Sequence, residues 1–422
     1  MLARIFFVLV CSAILVVIPG GEVGKSQAHF SPEAADQSWK EWESVSLQLL
    51  KSEELCEYFE YLHRRRRFNG AVLIAEKGTI LHAGAYGWAN QADKELLSMN
   101  SAFQLASVSK VFTATAIMLL HQQGKLNVDD EVSKHLSGWP YKGMTIRHLL
   151  SHRSGMGRYM AVAGQYWRTP RKAMSNEDVL RIYRRRKPVI FFRAGKGFNY
   201  CNTNYVFLAS IVEHISGKSF RQFMHDEIFQ PLDMEDAMIY SRVDDPEIPH
   251  EAIGYKVGRR GYYRAYNDYI DGVVGDKNMY ASVMDLFKFD QAIWNGKLLN
   301  EETLALMTEP NTPGNRVNNY GLGWRMKKKN GHTIPYHFGW WRGFRTCMLH
   351  DPEGDRTIIV LTNRDHPGLN VNYWRIYEKL LSLDMEPINW DEWEEEMEAD
   401  SLMEDEIDFD EELGASLMEL FD

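Results

Sequence analysis

Three polar clusters interrupt otherwise apolar stretches of the chain, and each carries side chains able to move protons or attack a carbonyl. The first pairs Ser107 with Lys110 at the mouth of the run "VFTATAIMLL" (Val111 to Leu120). The spacing predicts a helix over Val108 to Gln123, stopped by Gly124 and apolar nearly all round, hence buried. Residues three apart on a helix share a face, so the Ser107 hydroxyl and the Lys110 amine are within reach of each other. The helix start offers unpaired N–H groups and the positive end of the dipole to a developing oxyanion. An amine kept dry beside a hydroxyl can help remove its proton. Taken alone, the same pattern fits a capping serine and a lysine whose head reaches solvent.

The second cluster, Tyr200, Cys201 and Asn202, stands where the glycine-containing loop "AGKGFN" (Ala194 to Asn199) passes into an apolar helical stretch. A tyrosine facing Ser107 and a lysine can shuttle protons; it can equally pack in the core, with Asn202 as a cap. The third is "YHFGWWRGF" (Tyr336 to Phe344). His337 is either a loop histidine or a site residue, and Gly339 lets the backbone come close to a bound carbonyl.

Around these clusters the elements read as two hairpins enclosing a helical region. Asn69 to Asn90 has two β-branched runs about the turn "EKG" (Glu76 to Gly78), and a late pair, Phe344 to His350 and Arg356 to Asn363, flanks "DPEGD". Helical spacing marks residues 31 to 65, opened by Ser31 and Pro32, and a closing helix over Leu369 to Leu383. The expected fold class is therefore mixed α/β (α+β). One mostly antiparallel sheet is built from N- and C-terminal segments, flanked by helices and carrying an inserted helical lobe. A groove between the lobes is a natural ligand site.

At 422 residues, 45% hydrophobic and 12% aromatic, the chain can bury a large core. Arg4, the apolar run Ile5 to Ile18 and the small residues Ser26 and Ala28 form a secretory signal pattern over residues 1–28, implying an exported, periplasmic or secreted protein. The run is short for a span of ~20 residues, so membrane contact is expected only through this segment if it stays uncleaved. Val10 before Cys11 does not suit lipidation. Cys56, Cys201 and Cys347 define no disulfide framework. Past Lys379 there is no basic residue and 18 of the 58 acidic ones, leaving 40 against 48 basic residues before it, a balance of +8. Residues 384–422 thus form an acidic tail, solvated or docking through its aromatics on basic runs such as "HRRRR" (His63 to Arg67) and "RRRK" (Arg184 to Lys187). No nucleic-acid motif accompanies those runs, and no nucleic-acid partner is expected.

In their order, Ser107-Val-Ser-Lys110, Tyr200-Cys-Asn202 and His337-Phe-Gly339 resemble the three motifs of serine β-lactamase-like and penicillin-binding-protein-like hydrolases, in the branch of class C β-lactamases, DD-peptidases and esterases. "TIRHLLSHRSGM" (Thr145 to Met156), "YASVMDLFKF" (Tyr280 to Phe289) and "YGLGW" (Tyr320 to Trp324) also look like signatures of that family. The resemblance covers Asn69 to Leu383. It implies a β-lactamase/transpeptidase-like hydrolase domain over 69–383, after an N-terminal helical segment over 29–68.

It further implies catalysis through an acyl-serine. Ser107 would attack, Lys110 and Tyr200 would manage the protons, and Asn202 would orient Lys110 and the substrate. The backbone N–H groups of Ser107 and Trp340 would form the oxyanion hole, His337 would replace the usual lysine of the third motif, and no metal or cofactor is required. Phe338 stands where a hydroxyl commonly binds a substrate carboxylate, so an uncharged ester is favoured over anionic substrates. Tyr336, Phe338, Trp340 and Trp341 are expected to line an apolar acyl pocket, Phe344 to belong to the core, and Arg342 is the residue able to restore carboxylate binding. The substrate is then a small molecule or peptide with an ester or amide bond. The alternatives are a DD-peptidase or β-lactamase acting on cell-wall peptides or β-lactams, and a non-catalytic binding protein retaining the fold. A nucleophile elbow is absent, and Val212 breaks the phosphate-loop pattern. His148 and His152 share a helical face without the metalloprotease glutamate, and the acidic tail lacks the turn glycine of a calcium loop.

Overall fold

The computed structural model of the chain describes residues 32–259, 261–312, 318–329, 331–365 and 373–382. The expected signal segment (1–28) and acidic tail (384–422) lie outside these residues. The chain divides into two compact units, Met1–Leu47 and Gln48–Asp422, and every described strand belongs to the second.

The first helix, α1 (Pro32–Arg64), is followed by β1 (Gly70–Glu76), β2 (Thr79–Tyr86) and the short β3 (Phe103–Gln104). The helical layer then holds α2 (Ser109–Gln122), α3 (Asn176–Arg186) and α4 (Asn202–Ser216). Next come β4 (Met238–Ile239), β5 (Tyr255–Gly258), β6 (Gly261–Arg264), β7 (Met279–Ala281) and α5 (Val283–Trp294). The chain returns through β8 (Asn318–Tyr320), β9 (Arg325–Lys329), β10 (His332–Trp341), β11 (Phe344–Asp351), β12 (Arg356–Thr362) and β13 (Arg364–Asp365), and α6 (Tyr373–Ser382) closes the described fold.

The main sheet has seven strands in the order β8-β9-β10-β11-β12-β1-β2. β1 joins the two ends of the fold, pairing antiparallel with β12 from Gly70↔Thr362 to Glu76↔Arg356 and with β2 on its other side. Because helices cover both faces, the central strands are apolar at nearly every position, and alternation decides only which core each side chain enters. Ala71, Leu73, Ile359, Leu361 and Met348 face inward, against α2, α4 and α5. Val72, Ile74, Ile358, Val360, Cys347 and Leu349 face outward, against Leu55, Phe59 and Leu62 of α1 and Ile376, Tyr377 and Leu380 of α6. The fold is the mixed helix and antiparallel sheet expected from the sequence.

One stretch differs from its reading. The third cluster is not a loop ahead of the late hairpin but the second half of β10, paired with β11 from Tyr336↔Leu349 to Trp341↔Phe344. Pro335, Gly339 and adjacent tryptophans obscure the alternation that marks a strand. Among the described residues no helix is long and apolar enough to cross a membrane, and Cys56, Cys201 and Cys347 are free thiols.

Candidate active site

Ser107 lies in one turn of 3-10 helix, Ala106–Val108, between β3 and α2. Ala106 has φ +49°, a left-handed conformation that costs a non-glycine residue energy and recurs where a reactive side chain is held in place. The turn is clamped by the sheet: the Thr346 hydroxyl on β11 donates to the Leu105 carbonyl at 2.7 Å. Gly339 of β10 passes so close that an added Cβ would sit 2.3 Å from the Leu105 oxygen and 3.0 Å from the Ala106 Cβ. The glycine thus lets a strand meet the serine-bearing turn, a structural requirement in addition to the carbonyl approach read from sequence.

Lys110, in the first turn of α2, is wholly buried. Its Nζ donates to Ser107 Oγ at 2.9 Å and to the Asp276 carbonyl at 2.9 Å. Asn202 is not among these partners, so the lysine is oriented by the segment entering β7. The Asp276 carboxyl is itself fully enclosed. Burial pushes its pKa up, opposed by Lys277 and Lys110, and the Tyr159 hydroxyl, 3.3 Å away, donates to it.

Tyr200 reaches the same place from the loop before α4. Lys110 Nζ stands 5.2 Å from its ring centroid, the Arg325 guanidinium 4.9 Å from it, and the His337 ring is 6.3 Å away. Among the described residues the Tyr200 hydroxyl and Asn202 Oδ1 are buried without a hydrogen-bond partner. Buried polar atoms are rarely left so, and a bound substrate or water would satisfy both. His152 packs on Tyr200 with rings 4.3 Å apart. Its Nδ1 accepts from the Cys201 backbone N–H at 3.1 Å, which leaves the hydrogen on Nε2, another atom without a partner. His337 is held through both nitrogens: Nδ1 donates to the Phe338 carbonyl at 2.8 Å, so Nε2 accepts from the Tyr320 hydroxyl at 3.0 Å. Burial, reinforced by Lys110 and Arg325, keeps both histidines well below the usual imidazole range, and neither brings a charge.

The sequence matches the family model described as Beta-lactamase over residues 57–381. It is 36% identical over 332 residues to penicillin-binding protein 4* of Bacillus subtilis, covering 75% of this chain and 72% of that one. The chain belongs to the β-lactamase family. It is also 26% identical to a D-aminopeptidase of Brucella anthropi, covering 70% of this chain and 56% of that protein. A penicillin-binding protein from Bacillus halodurans has the same fold, with TM-score 0.68 at 23% identity over 77% of this chain and 98% of its own. The chain is accordingly a serine hydrolase of the β-lactamase and penicillin-binding-protein superfamily.

Within this β-lactamase-family site, strand alternation divides the expected aromatic pocket. His337, Gly339 and Trp341 alternate onto the inner face of β10. Tyr336 and Phe338 turn outward, Tyr336 packing 4.9 Å from Phe338 and 5.0 Å from Trp374. Trp340 also leaves the site, donating through Nε1 to Asp365 at 2.7 Å and stacking under Arg345. Phe344 is core, as expected, edge-on to Phe103 and Tyr280. Arg342 is already matched, bound to Asp268 and, at 3.0 Å, to Asp271. Cys201 points its thiol toward the Gly157 carbonyl, 3.4 Å away.

His148 and His152 do not share a helical face, since that helix ends at Leu150 and His152 has φ +56°. Among the described residues no His, Cys, Asp or Glu group is placed to hold a metal. Sequence reasoning missed Asp276, Tyr320, Arg325 and the true place of His152. The charged pair Asp276-Lys277, inside the otherwise apolar "VVGDKNMYA", was a legible signal, and Tyr320 and His152 lie in the family-like stretches without having been given a role.

Proposed function

We propose that the protein cleaves ester or amide bonds through an acyl enzyme on Ser107. The observation that carries this reading is the 2.9 Å contact between Ser107 Oγ and a buried Lys110 beside an unpartnered Tyr200 hydroxyl. As Oγ bonds to the substrate carbonyl carbon, its proton passes to the Lys110 amine. The displaced electron pair rests on the carbonyl oxygen, held by the N–H groups of Ser107 and Trp340. Collapse breaks the bond to the leaving group, which takes a proton from Lys110 by way of Tyr200. Water then attacks the acyl ester and the same groups act in reverse. Asn202 Oδ1 orients the substrate, and the neutral His337, both nitrogens engaged, holds the Tyr320 hydroxyl at the wall of the site.

Substrates uncharged around the scissile bond are favoured. His337 supplies no charge, and Phe338 supplies no hydroxyl and points to the outer face. Esterase-like activity follows from that chemistry. Similarity to a penicillin-binding protein and a D-aminopeptidase supports peptide amides as the second reading. The signal pattern before Ala28 supports export to the periplasm or medium.

A fluorophosphonate probe tests the central claim. Labelling of the wild type that disappears in Ser107→Ala is expected; a folded wild type that takes up no probe would instead be a binding protein. Short aryl esters, a chromogenic cephalosporin and D-Ala-D-Ala peptides, assayed together, rank the substrates.

A further inference from the structure

Beyond the acyl centre, the β5–β6 ribbon and the turn closing β10 form a second concavity. Its volume is about 410 Å³, and Lys256, Tyr263, Arg264, Ala265, Tyr266 and Arg342 line it. That size is ordinary for a small-ligand site. None of the lining residues is acidic, and Tyr263 and Tyr266 are 54% and 72% exposed, offering aromatic faces to solvent. Arg264 stacks on Tyr266 and also lies near the Glu251 carboxyl.

The concavity is fixed rigidly to the catalytic strand. An added Cβ on Gly254 would sit 2.1 Å from the Arg342 carbonyl, and one on Gly343, at φ +87°, 2.4 Å from the Tyr255 nitrogen. β13 pairs with β5, and its Asp365 binds Trp340. Along the chain, Gly339 against the serine-bearing turn and Arg342 in the concavity are three residues apart, at the end of β10. Trp341 has the Arg342 guanidinium 4.9 Å from one of its ring centroids and Lys277 Nζ at 5.4 Å. The residue before Lys277 is Asp276, whose carbonyl holds Lys110.

We propose that this concavity is an anion subsite that takes a carboxylate on the substrate, remote from the scissile bond, through Lys256 and Arg264, with Tyr263 and Tyr266 packing against the arm that bears it. Arg342, fixed by Asp268 and Asp271, supplies a rigid wall. The proposal rests on the acyl-serine reading and deepens it: the third motif no longer recognises charge next to the reacting carbonyl, and the ribbon recognises it farther away.

The test uses aryl esters and anilides carrying a carboxylate at increasing distance from the scissile bond, on the acyl or the leaving side, each beside its neutral methyl ester. In the wild type at least one anionic compound should exceed its neutral partner in kcat/KM by about tenfold, through KM. The preference should vanish in the Lys256→Ala/Arg264→Ala double variant and in about 0.5 M salt, with turnover of the neutral esters unchanged. No preference at any length, or one that survives the double variant, overturns the subsite. Fluorophosphonate labelling of Ser107 separates the two claims. If the wild type is not labelled, the acyl-serine reading fails. Calorimetric binding of the same carboxylates to wild type and double variant then decides the subsite, and equal binding by both would reject it.

Discussion

Lys51 and Lys110 are both cut off from solvent, at 1% and 0% exposure, yet they are held in different ways. Lys51, on the outer side of the sheet, donates to Glu76 at 2.8 Å, and Glu76 also accepts from Arg356 at 2.7 Å. Its charge is met by charge, as a buried ammonium ordinarily requires. Lys110, on the inner side, touches a hydroxyl and a carbonyl, both neutral. In the proposed mechanism the Lys110 amine exchanges a proton with Ser107, a role that contact with a carboxylate would not allow Lys51. The outer core uses its buried charge to hold the 48–64 part of α1 to the sheet, and on the proposed reading the inner core uses its amine for reaction.

The largest effects should therefore dissociate. Lys110→Ala, Ser107→Ala and Tyr200→Phe should each lower kcat/KM on an aryl ester by roughly 10³-fold or more while thermal unfolding moves little. Lys51→Ala should cost about 3 kcal/mol, because Glu76 loses one of its two cations inside the protein, with turnover per folded molecule intact. Urea denaturation beside ester kinetics checks both halves. A Lys51 variant that folds normally but is inactive would end the contrast.

Next in size is the clamp between strand and turn. Gly339→Ala puts a methyl group against the Leu105 and Ala106 backbone and must push β10 off the serine-bearing turn. A shift of about 1 Å there should lower kcat by about 10²-fold. Normal turnover in this variant would mean that Gly339 does not set the position of Ser107.

Acid separates the two faces by a third route. On the outer face, burial lowers the His82 pKa to about 4, with Glu60 opposing, and its ring stacks on Phe59 at 5.3 Å. The unfolded chain takes up this proton near 6.5, so the folded state binds fewer protons between about 6.5 and 4. The stabilisation is present above that window and is lost as pH falls through it, by up to about 3 kcal/mol. His82→Phe keeps the stacking and should flatten this part of the stability profile without altering activity at pH 7. His152 and His337 shift in the same direction, but beside Tyr200, so their replacement should alter turnover as well. Equal acid sensitivity in the His82 variant and the wild type would rule out this assignment.

Much of this was legible in the chain because local rules and global fold agreed there. The run after Lys110 is apolar on every side and could only be buried, and Gly124, at φ +69°, ends the helix where the pattern stops. The two hairpins carry ordinary turn residues and pair as read, through Gly70↔Thr362. Illegible parts depended on which face a residue joins. In "YHFGWWRGF" every residue is aromatic, glycine or charged, so nothing in the string says that Tyr336 and Phe338 face α6 while His337 and Gly339 face Ser107. Asp276 acts through its backbone carbonyl, which any residue type supplies. Lys51 lay in the N-terminal helical segment read as preceding the hydrolase domain, and its partner Glu76 is the first residue of a turn signal.

The smallest expected effect lies at Cys201, the middle residue of the second motif. The Cys201 side chain is sealed from solvent, burial raises its thiol pKa, and the sulfur faces the Gly157 carbonyl rather than Lys110. What this residue gives the site is its backbone N–H, which fixes the His152 tautomer beside Tyr200. Cys201→Ser keeps that N–H and supplies a stronger donor to Gly157, so ester turnover should stay within about twofold and stability within about 1 kcal/mol. A loss beyond tenfold would mean that the second motif acts through its side chain at this position, and that Tyr200 is not held by the backbone and His152 alone.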